Sequence, residues 1–252
     1  MSNPFSLEGR RAMVTGANTG IGQGIAISLA EAGAEVLAVG RSSMAETEDA
    51  IRGAGGKVSA IKADLGKTAA VAPMFDAAWD AHGPIDILVN NAGIIRRAAA
   101  IDFTETDWDD VLDVNLKSVF LLSQAFARQV FAAGRSGKIV NIASLMSFQG
   151  GIRILSYTAA KSGLAGLTRI LANEWASKGI NVNAIAPGYI VTNNTEALRN
   201  DPERTADILK RIPAGRWGSP QDIGGTAVYL ASDAANYVHG AILPVDGGWL
   251  AR

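Results

Sequence analysis

Short, β-branched apolar runs alternate with amphipathic stretches along this chain, and that alternation leaves few folds open. The runs fall at Arg11–Thr15, Glu35–Val39, Lys57–Lys62, Ile85–Val89, Lys138–Ala143 and Ile180–Ala186, with a last one at Ala241–Val245. Each is short and mostly apolar, as strands buried on both faces are. Between them, Ile21–Ala32 repeats apolar residues at Ile25, Leu29 and Ala32 and is stopped by Gly33. Thr106–Ala133 reads as one long amphipathic helix carrying Trp108, Val111, Leu112, Asn115, Val119 and Leu122 on one side, and Ser156–Ser177 reads likewise. Strand and helix in alternation predict an α/β fold: a doubly wound parallel sheet of about seven strands with helices on both faces. At 252 residues a single domain over 1–252 is expected. Between about 190 and 233 strand signals are missing, and two or three polar helices are expected there as an insertion near the substrate.

The first strand runs into Thr15-Gly16-Ala17-Asn18-Thr19-Gly20-Ile21-Gly22, and a helix starts inside that motif. Glycines at this spacing let the backbone turn tightly and approach a pyrophosphate, while the helix N-terminus supplies free N–H groups. A glycine-rich turn without a ligand has the same spacing, but its place between the first strand and first helix favours a dinucleotide. About 20 residues on, a dinucleotide fold puts the residue that reads the adenosine ribose. Here that point is Gly40-Arg41. No carboxylate stands there to repel a 2′-phosphate, and a guanidinium can pair with one, so NADP is favoured and NAD stays possible. Asp64-Leu65 would lie at the adenine edge, and Asn90-Asn91-Ala92-Gly93 ends the fourth strand with small residues where a ribose must approach backbone.

The chemistry falls in the next segment. Ser144 ends the fifth strand at the edge where doubly wound sheets bind ligands. Tyr157 follows, and Lys161 stands one helical turn later on the same face. An ammonium beside a phenol favours its phenolate, and a serine hydroxyl can hold a substrate oxygen while tyrosine exchanges the proton.

With these motifs the chain resembles the short-chain dehydrogenases/reductases over nearly its whole length, adding Asn115 and Pro187-Gly188 with Thr192 to the matching positions. The resemblance implies a Rossmann-type domain in which Asn115, Ser144, Tyr157 and Lys161 are catalytic. Tyr157 would be the acid/base, Lys161 would hold the nicotinamide ribose and lower the phenol's pKa, and Asn115 would order a water relay. The loop Pro187–Thr192, with Ile190, would hold the carboxamide. It further implies a homotetramer.

Five blocks are similar to sugar-acid dehydrogenases within the family: Gly93–Arg97, Ser147–Arg153, Asn193–Thr195, Arg211–Gly218 and Val245–Arg252. They predict a sugar acid or ketone as substrate. Arg96 or Arg153 would pair with its carboxylate, while Gln149 and Asn193 would bond hydroxyls. A reductase of protein-borne acyl groups and a non-catalytic dinucleotide-binding module are the other readings. Composition excludes much else. With no cysteine and only His82 and His239, neither a thiolate nor a multi-histidine metal centre can be built, so no metal is expected. With 23 basic against 24 acidic side chains, no nucleic-acid surface is expected. No membrane span and no leader are read, so a cytoplasmic location is expected.

Overall fold

The computed structural model describes residues 3–252. Seven parallel strands form one sheet in the order β3-β2-β1-β4-β5-β6-β7. They are β1 (Arg11–Thr15), β2 (Glu35–Gly40), β3 (Val58–Lys62), β4 (Ile87–Asn90), β5 (Gly137–Ile142), β6 (Ile180–Pro187) and β7 (Ile242–Val245). Strands β4, β5 and β6 are buried along their whole lengths, and the polar residues they carry, Asn90, Lys138, Asn141, Asn181 and Asn183, are buried with hydrogen-bond partners.

The helices divide between the two faces. α1 (Gly20–Glu31), α2 (Ala45–Gly53) and α9 (Pro220–Ala231) cover one, burying Ile25, Leu29, Ile51, Ile223 and Leu230 with Val14, Val36 and Val89. α3 (Val71–His82), α5 (Ser118–Ala132) and α6 (Leu155–Trp175) cover the other, around Phe75, Phe126, Leu122 and Leu171. α4 (Glu105–Leu112) leads into α5, while α7 (Glu196–Arg199) and α8 (Pro202–Arg211) lie over the carboxyl edge of the sheet. Among the described residues no helix is long and apolar enough to cross a membrane. Because the chain leaves β1 toward β2 and β3 but resumes at β4 on β1's other side, a crevice opens at the carboxyl ends of β1 and β4.

Two helical expectations are corrected. The single helix expected over Thr106–Ala133 is interrupted between α4 and α5 by a π-helical turn, Asp113–Lys117, whose central residue is the buried Asn115. The interruption leaves no composition signal, because every residue in it is an ordinary helix former or a weak one. α9, expected among polar helices, instead buries Ile223, Ala227, Leu230 and Ala231 against the core. Its Gly224, Gly225 and Ala227 dilute the apolar stripe, so the sequence looks more polar than the face it packs.

Candidate active site

The turn after β1 is sewn to the turn after β4 before any ligand is considered. Thr15 Oγ1 donates to the Val89 carbonyl at 3.2 Å and accepts from the amides of Asn91 at 3.0 Å and Ala92 at 3.1 Å. Asn91 Nδ2 in turn donates to the carbonyls of Thr15 and Gly16. This fixes the floor of the crevice.

Every residue expected to hold the dinucleotide lines that single crevice: Gly16, Asn18, Thr19, Gly20, Ile21, Gly22, Arg41, Asp64, Leu65, Asn91, Ala92, Gly93, Tyr157, Lys161, Pro187, Gly188, Ile190 and Thr192. Two features fit a pyrophosphate there. α1 begins at Thr19 with no side-chain cap, so its first N–H groups face the crevice without partners. A Cβ on Gly22 would run into the Gly16 carbonyl oxygen and the Asn91 amide, so the close backbone approach exists only with glycine. Asn18 Nδ2 donates to Ser42 Oγ at 2.8 Å, bracing the β2 turn beside the exposed Arg41. Ser42, Gly66, Val114 and Asn194 also line the crevice. Ser42, Gly66 and Val114 reach it through turns that carry no motif, while Asn194 belongs to the block Asn193–Thr195 already singled out in the sequence.

At the other end the turn Leu145–Ser147 starts at Ser144, whose hydroxyl accepts from the Met146 amide at 3.2 Å. Ser147 Oγ donates to the Lys161 carbonyl at 2.7 Å and Ser162 Oγ to the Met146 carbonyl at 3.0 Å, so the turn is tied to α6. Tyr157 and Lys161 stand on the first two turns of α6, with the Lys161 nitrogen 5.7 Å from the centre of the tyrosine ring. Lys161 is 4% exposed, and its Nζ donates to the Ile142 carbonyl at 2.5 Å. Burial lowers its pKa to about 8, leaving it mostly protonated at neutral pH. Burial raises the Tyr157 phenol, against which a hydrogen bond with Ser144 and the charge of Arg97 pull it down. The loss of water around the phenol outweighs the pull of Ser144 and Arg97.

Asn115 stands behind the crevice wall rather than in it. Its Oδ1 accepts from the Ile94 amide at 2.8 Å and its Nδ2 donates to the Ile94 carbonyl at 2.9 Å, so it fixes the backbone just past Gly93. π-helical turns concentrate at functional sites, and this one aims the asparagine.

The four residues expected to bind substrate separate. Asn193 lines the crevice. Arg153 is exposed on the loop before α6, with φ of 61°, and its carbonyl accepts from the Ala98 amide. Arg96 instead bridges Asp107 and Asp110, both at 3.2 Å, so its charge is already partnered. Gln149 accepts from the Trp249 indole at 3.2 Å. Arg97, which the sequence presents only as Arg96's neighbour, adds a charge that pulls the Tyr157 phenol down, and it donates to the Asn194 carbonyl at 3.0 Å.

Residues 16–250 match the family model described as enoyl-(acyl carrier protein) reductase. The chain is 55% identical over 98% of its length, and 98% of the relative's, to 2-dehydro-3-deoxy-D-gluconate 5-dehydrogenase of Escherichia coli. It is 64% identical, with a TM-score of 0.95 and full coverage of both chains, to a crystal structure of a candidate 2-deoxy-D-gluconate 3-dehydrogenase from Agrobacterium tumefaciens with bound NADP. A gluconate 5-dehydrogenase from Burkholderia cenocepacia, in complex with NADP and tartrate, is 40% identical with a TM-score of 0.93 over 99% of this chain and 98% of that one.

Proposed function

We propose, on the premise that this chain belongs to the short-chain dehydrogenase/reductase family, that it is an NAD(P)-dependent oxidoreductase interconverting a secondary alcohol and a ketone of a sugar acid. The substrate is of the 2-deoxy-D-gluconate or 2-dehydro-3-deoxy-D-gluconate type, as the relatives' names support. The observation that carries the reading is the placing of Tyr157, Lys161 and Ser144 at one end of a crevice whose other end is the uncapped start of α1. NADP is the favoured cofactor, supported by its presence in two structural neighbours and by Arg41 on the crevice wall. When bound, the dinucleotide supplies the hydride acceptor or donor. Ser144 holds the substrate oxygen, Tyr157 takes or returns the hydroxyl proton, and Lys161 contacts the nicotinamide ribose and keeps a positive charge beside the phenol. Asn115 positions the backbone at Ile94 and would order the water relay that the family resemblance implies.

A panel of aldonic and deoxyaldonic acids, oxidised with NAD and NADP in parallel and followed at 340 nm, tests the assignment. Turnover of a deoxyaldonic acid supports it. Preference for gluconate moves it to gluconate 5-dehydrogenase, and no absorbance change with any member overturns it. Replacing Arg41 with Ala is expected to raise KM for NADP about tenfold and leave NAD nearly unaffected, the scale of one partly screened charge-assisted pair. Equal effects on both cofactors would remove Arg41 from the 2′-phosphate site.

For the substrate's carboxylate the reading turns to Arg97, with Arg153 as a second cation at the rim and Asn193 bonding a hydroxyl. Arg97 is exposed, close enough to act on the Tyr157 phenol, and carries no carboxylate partner of the kind that occupies Arg96. Arg97→Leu is expected to raise KM for the sugar acid by about 10- to 100-fold, the value of a charged hydrogen-bonded pair. Arg96→Ala should leave KM close to wild type, since it removes only a surface ion pair. The opposite ranking would return the carboxylate to Arg96.

The reading includes a homotetramer in the cytoplasm, where its dinucleotide pool lies. A shallow apolar groove lined by Leu112 of α4, Leu116 of the π-helical turn, Phe120 of α5, and Gly163 and Leu167 of α6 supports assembly. A light-scattering mass near 26.2 kDa would refute it.

A further inference from the structure

Outside the two main cores the protein has a third apolar cluster, built from segments far apart in the chain. Leu145, Ile208, Ile212 and Trp249 are its buried members. Trp249 lies at its centre and is 4% exposed. Its indole ring packs on Tyr189, with ring centres 4.7 Å apart, and the Arg211 guanidinium lies 4.0 Å above it. Its N–H donates to Gln149 Oε1 at 3.2 Å. The indole therefore ties together three segments that flank the crevice, through residues that stand behind its lining. Gln149 belongs to the loop that follows Ser144, Tyr189 follows Pro187-Gly188, and Arg211 ends α8.

The backbone is folded to make this contact. Gly247 and Gly248 have φ of 65° and 88°, a pair that only glycines adopt without strain. Asp246 closes the turn, its two carboxylate oxygens accepting from the amides of Gly248 at 2.8 Å and Leu250 at 2.9 Å. The Ala214 amide donates to the Gly247 carbonyl at 2.9 Å, joining the turn to the segment after α8.

We propose that Trp249 is a positioning residue for substrate, the pin that fixes α7–α8 against the Ser144 loop, and that its indole N–H bond to Gln149 sets the width of the substrate end. The proposal rests on the sugar-acid reading for its kinetic consequence and on geometry alone for its conformational one. Trp249 packs on Tyr189, within the loop expected to hold the carboxamide, but touches neither the α1 turn nor Arg41, so the adenosine and pyrophosphate end of the crevice is independent of it. Cutting the pin loosens α7–α8 and weakens hold on a hydroxyl-rich substrate, while a substrate molecule that does bind reacts at Tyr157 as before.

The test compares W249F, Q149L and the double variant in the full-length protein. Each single variant is expected to raise KM for the sugar acid about fivefold, the equivalent of one neutral hydrogen bond, with kcat and the KM for dinucleotide close to wild type. The double variant is expected to be no worse than the worse single one, because both cut the same bond. Without any substrate, trypsin should nick the single variants within α7–α8, at Arg199, Arg204, Lys210 or Arg211, about fivefold faster than wild type. Unchanged KM, a dinucleotide KM that rises in step, multiplying effects in the double variant, or unaltered nicking each overturns the pin. If the wild type oxidises no sugar acid, the functional reading falls and nicking alone decides the pin. Should W249F fold poorly, Q149L, at a half-buried amide, carries both readouts.

Discussion

Replacing Tyr157 with Phe is expected to lower kcat for alcohol oxidation by about three orders of magnitude, with dinucleotide affinity close to wild type. The ring fits the same space and only the hydroxyl is lost, so packing at the start of α6 is kept. What disappears is the hydroxyl proposed above to exchange a proton with a substrate oxygen. Burial holds the phenol above its ordinary value, against the pull of the Ser144 hydrogen bond and Arg97. The sign of the pH profile follows. Oxidation needs the phenolate, so its rate should rise about tenfold per pH unit below the phenol pKa, and ketone reduction, which needs the phenol, should not share that rise. In the Phe variant the residual oxidation should lose this slope. Steady-state rates across pH, together with dinucleotide binding by fluorescence, check both parts. A variant that keeps a tenth of wild-type kcat would take the proton-transfer role from Tyr157.

The second large effect is expected at the opposite end of the crevice. Gly22→Ala adds one methyl, and that methyl meets the Gly16 carbonyl and the Asn91 amide. Neither is free to move. Asn91 is held by its bonds to Thr15 and Gly16, and Gly16 by the turn those bonds close. Overpacking of this kind costs about 1–3 kcal/mol, which here falls on the geometry that admits the pyrophosphate. Dinucleotide affinity is expected to drop by roughly 10- to 100-fold. Melting temperature should fall by a few degrees, as the strain is shared with the β1–β4 contact. Titration of NADP against wild type and variant, followed by a thermal melt, gives both numbers. Unchanged affinity would mean that the turn relaxes freely and that its glycines serve folding alone.

The two ends of the crevice were not equally legible from sequence. The strands were, because the central ones, buried on both faces, leave short and mostly apolar runs, and the edge strands β3 and β7 keep short β-branched runs bounded by glycine; each observed strand lies within two residues of its run. The glycine turn and the Ser144–Tyr157–Lys161 set were readable because fixed spacing along one strand or helix fixes their geometry. The partners of Arg96 and Gln149 were not legible, for the opposite reason. Both lie in loops, and a loop side chain's partner is chosen by whatever the fold brings near it. For Arg96 that was Asp107 and Asp110, and for Gln149 it was Trp249, 100 residues away. Arg97 escaped notice because adjacent residues on an extended loop point in different directions, and sequence does not say which one faces the site. The burial that raises the phenol was not legible either, since a neighbouring charge is visible in a sequence and the water removed around it is not.

The wide turn at Asp113–Lys117 has a consequence for α4 and α5 taken together. A regular helix advances about 100° per residue, so one surplus residue in a turn rotates everything beyond it by about that angle relative to an unbroken rod. α4 and α5 are therefore two helices out of phase on one axis, and each presents its apolar stripe to a different neighbour. Deleting a single residue from this segment would restore a regular helix and favour it locally. It would also swing the whole of α5 off its stripe while turning Asn115 away from Ile94. Substitution here is a local event and changes of length are not: the angular offset is a quantity the fold and the crevice share, and neither can alter it alone.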